Sequence, residues 1–364
     1  FGYAFSNRLD RDALLEAAAA AAASIPADGP GAVVDLRALE PSVVHRAARP
    51  ADAVPAADKV AWLREVDDAA RSHAPEVRQV VASYGDSRQR VLIATSDGRW
   101  VEELRPRIRL FVQVVAERDG MIQTGVHGPA ALAGAEYVDA HPPASIARIA
   151  AQRAVTMLDS IPAPAGETAV VMAPGTGGVL FHEAVGHPLE ADIVDKEASV
   201  YRGRVGERLA SPLVTGVDDA TEPNAWGSFS FDDEGTPSQR TVLFEEGVLV
   251  GLLSDRLRAA KAGVPSSGNG RRQSYAHPPI PRMTNTSILN GTAKAADVLA
   301  STPRGVFVTA LAGGQTNPAS GDFVFGVSEG FLIEDGVVTR PIRGANLIGR
   351  AIEVMSAIDA VADD

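Results

Sequence analysis

The 364-residue chain contains no cysteine. No disulfide framework exists, and cysteine usage carries no signal of a redox compartment. Positive charge is also short: 34 Lys and Arg stand against 46 Asp and Glu, a formal net charge of −12. That balance argues against nucleic acid as a main partner. No uninterrupted apolar run is long enough to cross a bilayer. The alanine stretch from Ala17 to Ala23 is too short and too weakly hydrophobic, so no membrane partner is expected. The first residue is Phe1 rather than methionine, as in a fragment or a processed chain, and the lack of a leader carries no weight.

What is present is ordinary soluble-protein material, 45 % hydrophobic and 22 % charged. The length suffices for two domains with their own cores. Phe1 to Ser6 alternates apolar and small residues like a strand. Asn7 or Asp10 is placed to cap a helix through Leu14, Leu15 and the alanines. Residues 26–31 read as a loop, Val33 to Leu36 as a short apolar piece and Pro41 to Pro55 as an exposed connection. Ala57 to His73 has helical spacing through Val60, Leu63, Val66 and Ala70. Strands are expected at Val77 to Ser83, Arg90 to Thr95, Trp100 to Leu104, Ile108 to Glu117 and Met121 to Val126. Asp97-Gly98 and Asp119-Gly120 would turn between them. His127 and His141 fall on flanking loops as solvated imidazoles. A helix from Ser145 puts Ile146, Ile149, Ala150, Met157, Leu158 and Ile161 on one face. Pro162-Ala163-Pro164-Ala165-Gly166 reads as a linker and sets the expected domain boundary. Beyond it come strand and turn, with a helix from Ala293 to Ala300 and hairpins around Glu246-Gly247 and Asp335-Gly336.

The chemistry sits in Phe181-His182-Glu183-Ala184-Val185-Gly186-His187-Pro188. Neutral imidazoles hold zinc, and a nearby carboxylate can take the proton of a metal-bound water. Two unrelated histidines near a helix end are the bland alternative. In the common zinc-protease pattern the histidines are four apart and share a helix face. Here they are five apart, about 140° around a regular helix and about 7.5 Å along it. Zinc-bound nitrogens lie only about 3.3 Å apart, so the extra residue has to be absorbed. Gly186 permits a bulge or early end and Pro188 forbids normal continuation. His182 and Glu183 are expected inside the helix and His187 on its last, distorted turn. The glycine-rich approach, residues 173–180, follows the apolar strand Thr168 to Met172. It serves either as a plain strand-to-helix turn or as a place for close approach of substrate backbone.

Several downstream segments sharpen this reading. In order they are Phe231-Asp232-Asp233-Glu234-Gly235-Thr236-Pro237, Pro281-Arg282-Met283-Thr284-Asn285-Thr286, Gly313-Gly314-Gln315-Thr316-Asn317-Pro318, Gly321-Asp322-Phe323-Val324-Phe325, Ser328-Glu329-Gly330 and Gly344-Ala345-Asn346-Leu347-Ile348-Gly349. With His182-Glu183-x-x-x-His187 ahead of them, the chain resembles the TldD/PmbA family of metallopeptidases, on the TldD (catalytic) side. The likeness runs along the whole chain and is most specific after Thr168.

The resemblance implies an α+β fold. Residues 1–162 would form an N-terminal antiparallel sheet with helices. Residues 163–364 would form a β-rich, barrel-like domain carrying the HExxxH helix. It also implies a cytoplasmic zinc peptidase that cuts unstructured peptides, with one zinc per catalytic chain, His182 and His187 as ligands and Glu183 as general base. The partner would be a TldE/PmbA-like subunit in a heterodimer, or a second copy in a homodimer. The family's third ligand is a cysteine beyond the position of Asp364, and further sequence precedes the segment like Phe1-Gly2-Tyr3. The N-terminal domain therefore reads as incomplete at its start, and the C-terminal domain as lacking its last segment. An extended peptide would dock by strand addition. Arg282, Asn285 and Gln315 are candidates to line its path, although a structural role in a turn accounts for each equally well. Two other readings stay open: a non-catalytic TldE-like subunit, and a metallo-amidohydrolase acting on a small amide.

Overall fold

The computed structural model describes residues 2–25 and 34–363; the loop at 26–31 and Val33 lie outside them. Residues 2–6 form no strand. Phe5 packs edge-on against Tyr275 at 6.0 Å, and the Tyr3 hydroxyl donates to the Tyr275 carbonyl. Asp10, rather than Asn7, caps the first helix, Arg11–Ala23, by accepting from the Ala13 N–H at 3.0 Å. Just after the short apolar piece, the pair Arg37–Ala38 lies parallel to Arg99 and Trp100.

The four expected strands before Arg118 merge into two. Val77–Ala94 and Arg99–Arg118 form one long antiparallel hairpin, continued by Met121–His127. The polar residues Asp86 to Gln89 do not interrupt the ladder: Asp86 pairs with Lys59 of helix Ala56–Arg71 at 2.7 Å, Arg88 with Asp52 at 3.0 Å, and Ser87 and Gln89 are exposed. Pro106 is tolerated because the strand has a described partner on one side only between Trp100 and Ile108. Alternate residues Leu110, Val112, Val114 and Ala116 turn to one face. There they bury against Val66 and Ala70 of helix Ala56–Arg71, and against Ile146, Ala147, Ala150 and Ala154 of helix Pro143–Thr156. That second helix starts before Ser145, with proline in its first turn. It ends in a tight turn at Met157–Asp159. Ile149 is exposed, and Ile161 belongs instead to a two-residue strand on Ile342. The expected linker therefore begins as part of the next sheet.

After Pro162 the architecture is two larger open sheets with a helix between them, and a two-stranded ribbon of Gly270–Arg271 and Ile280–Pro281. One orders Ile161–Pro162, Val337–Arg343, Asp322–Glu334, Arg304–Asn317 and Ala169–Met172, with Asn346–Arg350 on the far side of Asp322–Glu334. The other orders Val248–Leu249, Arg240–Glu245, Gly216–Asp219 and Thr286–Ile288. The fold is α+β, but none of the described sheets closes, which corrects the barrel-like expectation. The reason lies in the core. Phe181, Val185 and Leu189 of the motif segment pack against Leu243, Phe244 and Leu249 of one sheet and Phe323 and Phe325 of the other. The sheets close over a helix, not on each other.

The regions before and after Pro162 meet through buried charge. Arg105 binds the Glu103 carboxylate, Asp233 at 2.7 Å and the Phe231 carbonyl at 2.6 Å. Glu103 also accepts from the Ser230 N–H at 2.5 Å. The Arg105 and Glu103 side chains are 7 % and 6 % exposed. Arg105→Met would leave two carboxylates buried without their cation. Breaking one side of such a group costs about 3–5 kcal/mol, and urea denaturation should show a loss of that order. A loss below about 1 kcal/mol would mean that the pair behaves as solvated surface charge.

Candidate metal centre

Gly175, at φ 80°, turns the chain from strand Ala169–Met172 into helix Thr176–Phe181. The regular helix ends at Phe181. His182–Gly186 form one wide π turn in which the His187 N–H bonds the His182 carbonyl, five residues back. A tight turn, His187–Leu189, follows, with Pro188 near its start. The distortion thus includes His182 and Glu183 as well as His187. It absorbs the extra residue of the motif within one turn. The two imidazole rings stand perpendicular, 4.8 Å between centroids. One ligand atom from each of His182, Glu183 and His187 lies within 4.8 Å of the other two.

Gly186 has ordinary helical dihedrals, φ −57° and ψ −57°. Its lack of a side chain serves packing, because a Cβ there would overlap Met283 Sδ. Carbonyls freed by the irregular turns find partners. The Tyr201 hydroxyl donates to the Ala184 carbonyl at 3.1 Å, and the Ser199 hydroxyl to the Pro188 carbonyl at 2.6 Å. From Phe181 to Asp192 only His182, Glu183 and His187 escape full burial. One stripe carries chemistry and the rest is core.

His187 is oriented from behind. Its Nδ1 lies 3.2 Å from Glu190 Oε1. A carboxylate accepts, so Nδ1 holds the proton and Nε2 keeps its lone pair for a ligand. Glu190 is 2 % exposed and receives Arg282 Nη1 at 2.8 Å. Buried Asp192 lies 3.4 Å from the same nitrogen. The Glu190 hydrogen bond raises the His187 pKa above the ordinary 6.5, against the effect of burial. Burial, with His187 adding to it, pushes His182 down to about 4. His182 is therefore the neutral imidazole, while the Glu190 carboxylate favours the protonated form of His187, against which a metal has to compete.

The segment Pro281 to Thr286 holds this arrangement in place. Arg282 reaches Glu190, Met283 packs on Gly186, and Thr284 and Thr286 donate to buried Asp218 at 2.8 and 3.0 Å. Asn285 donates to the Asp219 carbonyl and the Ser228 hydroxyl, both at 2.7 Å, and accepts from the Gly227 N–H. Of the three residues expected along a substrate path, Arg282 thus touches the site through Glu190. Asn285 is committed to the fold. Gln315 is exposed on strand Arg304–Asn317 opposite Val324. His127 and His141 stay outside the cluster, and His141 stacks on Tyr137. The sequence reading missed Glu190, although an acid three residues after a ligand histidine on a helical turn is a usable signal.

Two imidazoles and a carboxylate on one wide turn, with a carboxylate behind one ring, are the donor set of a metal-dependent hydrolase. The model of the PmbA/TldA metallopeptidase C-terminal domain matches residues 165–364, and that of the central domain matches 49–158. A metalloprotease TldD homolog from Haemophilus influenzae is 42 % identical over 330 residues, 89 % of this chain and 68 % of that protein. The homolog from Buchnera aphidicola of Acyrthosiphon pisum is 36 % identical over 372 residues, 100 % of this chain and 77 % of that one. TldE from Thermococcus kodakarensis shares the fold, with TM-score 0.78 at 23 % identity over 97 % of this chain and 79 % of its own. The chain belongs to the PmbA/TldD metallopeptidase family, as its motifs imply.

Glu190→Gln keeps the shape but not the charge behind His187. Loss of such a carboxylate typically costs 10–100-fold in metal affinity, and competition with a chromophoric chelator should read that weakening. Wild-type affinity in the variant would exclude Glu190 from orienting the ring. In metal-free protein, imidazole NMR should find His187 protonating above pH 6.5 and His182 staying neutral down to about pH 4. Metal should accordingly be lost first as pH falls through the His187 value.

Proposed function

We propose that the chain is the catalytic subunit of a zinc peptidase, with His182 and His187 as zinc ligands and Glu183 as general base. The carrying observation is the π turn, which gathers three donor atoms within 4.8 Å. The donor chemistry fits zinc: His182 has no hydrogen-bond partner among the described residues, and His187 has Nδ1 occupied and Nε2 free. When bound, zinc would polarise the scissile carbonyl and lower the pKa of water. Glu183, with Oε2 3.9 Å from His187 Nε2, takes the proton of the attacking water and delivers it to the leaving amine. Glu190 and Arg282 hold His187 in its working orientation.

The substrate in this reading is an unstructured peptide. Strand Asn346–Arg350 pairs on one side only among the described residues, and Ile348 on it is 74 % exposed. An extended peptide can add to such an edge through its backbone, a mode that tolerates many sequences and rejects folded chains. Gln315 is the exposed candidate for contact along that sheet. The partner is a TldE-like subunit or a second copy, and the compartment is the cytoplasm. Among the described residues no helix is long and apolar enough to cross a membrane.

Metal analysis and peptide cleavage on one set of variants test this. Full-length protein should hold about one zinc per catalytic chain, with three or more protein ligands of the usual kind, and His182→Ala or His187→Ala should lose most of it. Glu183→Gln should keep zinc while cleavage falls by about 10²–10⁴. Near wild-type cleavage in Glu183→Gln would remove the general-base assignment. Zinc lost from it would make Glu183 a ligand.

A further inference from the structure

Strand Arg99–Arg118 carries Arg105, Arg107 and Arg109 at alternate positions, so they share one face with spacings of about 6.8 Å. Arg105 is neutralised by Glu103 and Asp233. Arg107 and Arg109 have no carboxylate within ion-pair distance among the described residues. Their guanidinium groups instead stack on Trp226 at 5.7 Å and Phe111 at 5.1 Å. Arg271 joins them from the other side of the seam. It binds the Met283 carbonyl and lies 5.9 Å from the ring of Phe229, whose other neighbour is Arg105 at 5.4 Å. Burial, and then the charges of Arg105 and Arg271, hold the Arg107 pKa below its usual range. Burial holds the Arg271 pKa down as well, with Asp233 opposing it and Arg105 adding to it. Glu103 and Asp233 attract Arg107 from beyond ion-pair distance, and Asp233, Asp218 and Glu190 attract Arg271, so among the described residues Arg107 and Arg109 are the two of this face left without a carboxylate in contact.

The ground beside them is open. Directly across the ladder from Phe111, Arg109 and Arg107 stand Ser83, Gly85 and Ser87. A Cβ on Gly85 would meet nothing within 4 Å. A hollow of about 420 Å³ is lined there by Ser83, Tyr84, Gly85, Arg109 and Phe111. Met283, which Arg271 holds by its carbonyl, is the residue packed on Gly186 of the motif turn.

We propose that Arg107 and Arg109 form a carboxylate-binding subsite for acidic side chains of an extended peptide substrate, with Arg271 adding positive charge behind Arg107. The peptide as occupant rests on the peptidase reading; the selectivity for carboxylate rests on the arginines. A guanidinium fork matches a carboxylate. An extended peptide presents every second side chain at the same spacing of about 6.8 Å, so Glu-x-Glu fits Arg107 and Arg109 in register. A nucleic acid fits less well, because the chain as a whole repels a polyanion.

Fluorescence anisotropy on the Glu183→Gln protein separates binding from cleavage. The probes are a labelled unstructured peptide with glutamate at alternate positions and the same peptide with glutamine there. The glutamate peptide should bind at least about tenfold tighter, with the difference shrinking between about 50 and about 300 mM salt. Arg107→Gln and Arg109→Gln should each remove roughly tenfold of that preference. Neither should change binding of the glutamine peptide or lower the melting temperature. Equal binding of the two peptides, or an unchanged preference in both variants, would overturn the subsite. So would tighter binding of an oligothymidylate of equal charge. Acid-selective binding without zinc-dependent cleavage in the wild type would retire the peptidase reading and leave the subsite standing. Cleavage without acid selectivity would do the reverse.

Discussion

A single backbone hydrogen bond, from the His187 N–H to the His182 carbonyl, spans five residues where a regular helix spans four. It converts a spacing unsuited to a shared metal into two rings 4.8 Å apart. A wide turn frees carbonyls and exposes backbone, and is stable only where its surroundings complete it. Here Tyr201 and Ser199 take two of those carbonyls, and the core under Val185 and Leu189 fixes the turn against two sheets. The site is therefore a property of the packing around the turn as much as of the turn itself.

The same logic explains Pro281 to Thr286. Arg282 sets the carboxylate behind His187, Met283 fills the space that Gly186 leaves, and Thr284 and Thr286 moor the segment to Asp218. Burial pushes the Asp218 carboxyl upward, and four donated hydrogen bonds oppose it. Such a group is tolerable inside only while every partner stays in place. A change anywhere in this segment is thus felt at His187 without touching it.

The motif was legible because its residue types have few structural uses together. The five-residue spacing by itself demanded a distorted turn. Where that turn begins depends on contacts from Tyr201, Ser199 and Met283, which are remote in sequence. Asp119-Gly120 and Asp335-Gly336 were readable as turns because Asp119 and Asp335, like both glycines, take positive φ. The merging of four strands into a long hairpin was not readable. Polar residues such as Asp86 and Arg88 look like breaks, yet Lys59 and Asp52, remote in sequence, pair with them and the ladder runs through. The open sheets escaped notice for a similar reason: apolar alternation says which face is buried, but not whether a helix or another sheet covers it. Arg282 and Asn285 stood out as polar residues in a turn-rich segment, and their partners Glu190 and Ser228 lie far away in the chain.

The buried group of Glu103, Arg105 and Asp233 gives little net stability, since desolvation offsets most of the attraction. What it fixes is position. Arg105 accepts no other neighbour without stranding two carboxylates, so strand Arg99–Arg118 meets the Phe231 to Asp233 segment in one register. Asp233 in turn accepts from the Arg272 N–H at 2.8 Å, which sets the strand that presents Arg271 and, through Met283, the motif turn. A hydrophobic seam of equal area would permit sliding, because apolar contact is not directional. The charged seam does not. Arg107 and Arg109, on the same strand as Arg105, are therefore held at a fixed offset from His182, Glu183 and His187, which is the condition that the proposed subsite requires for reading side chains at set positions along a bound peptide.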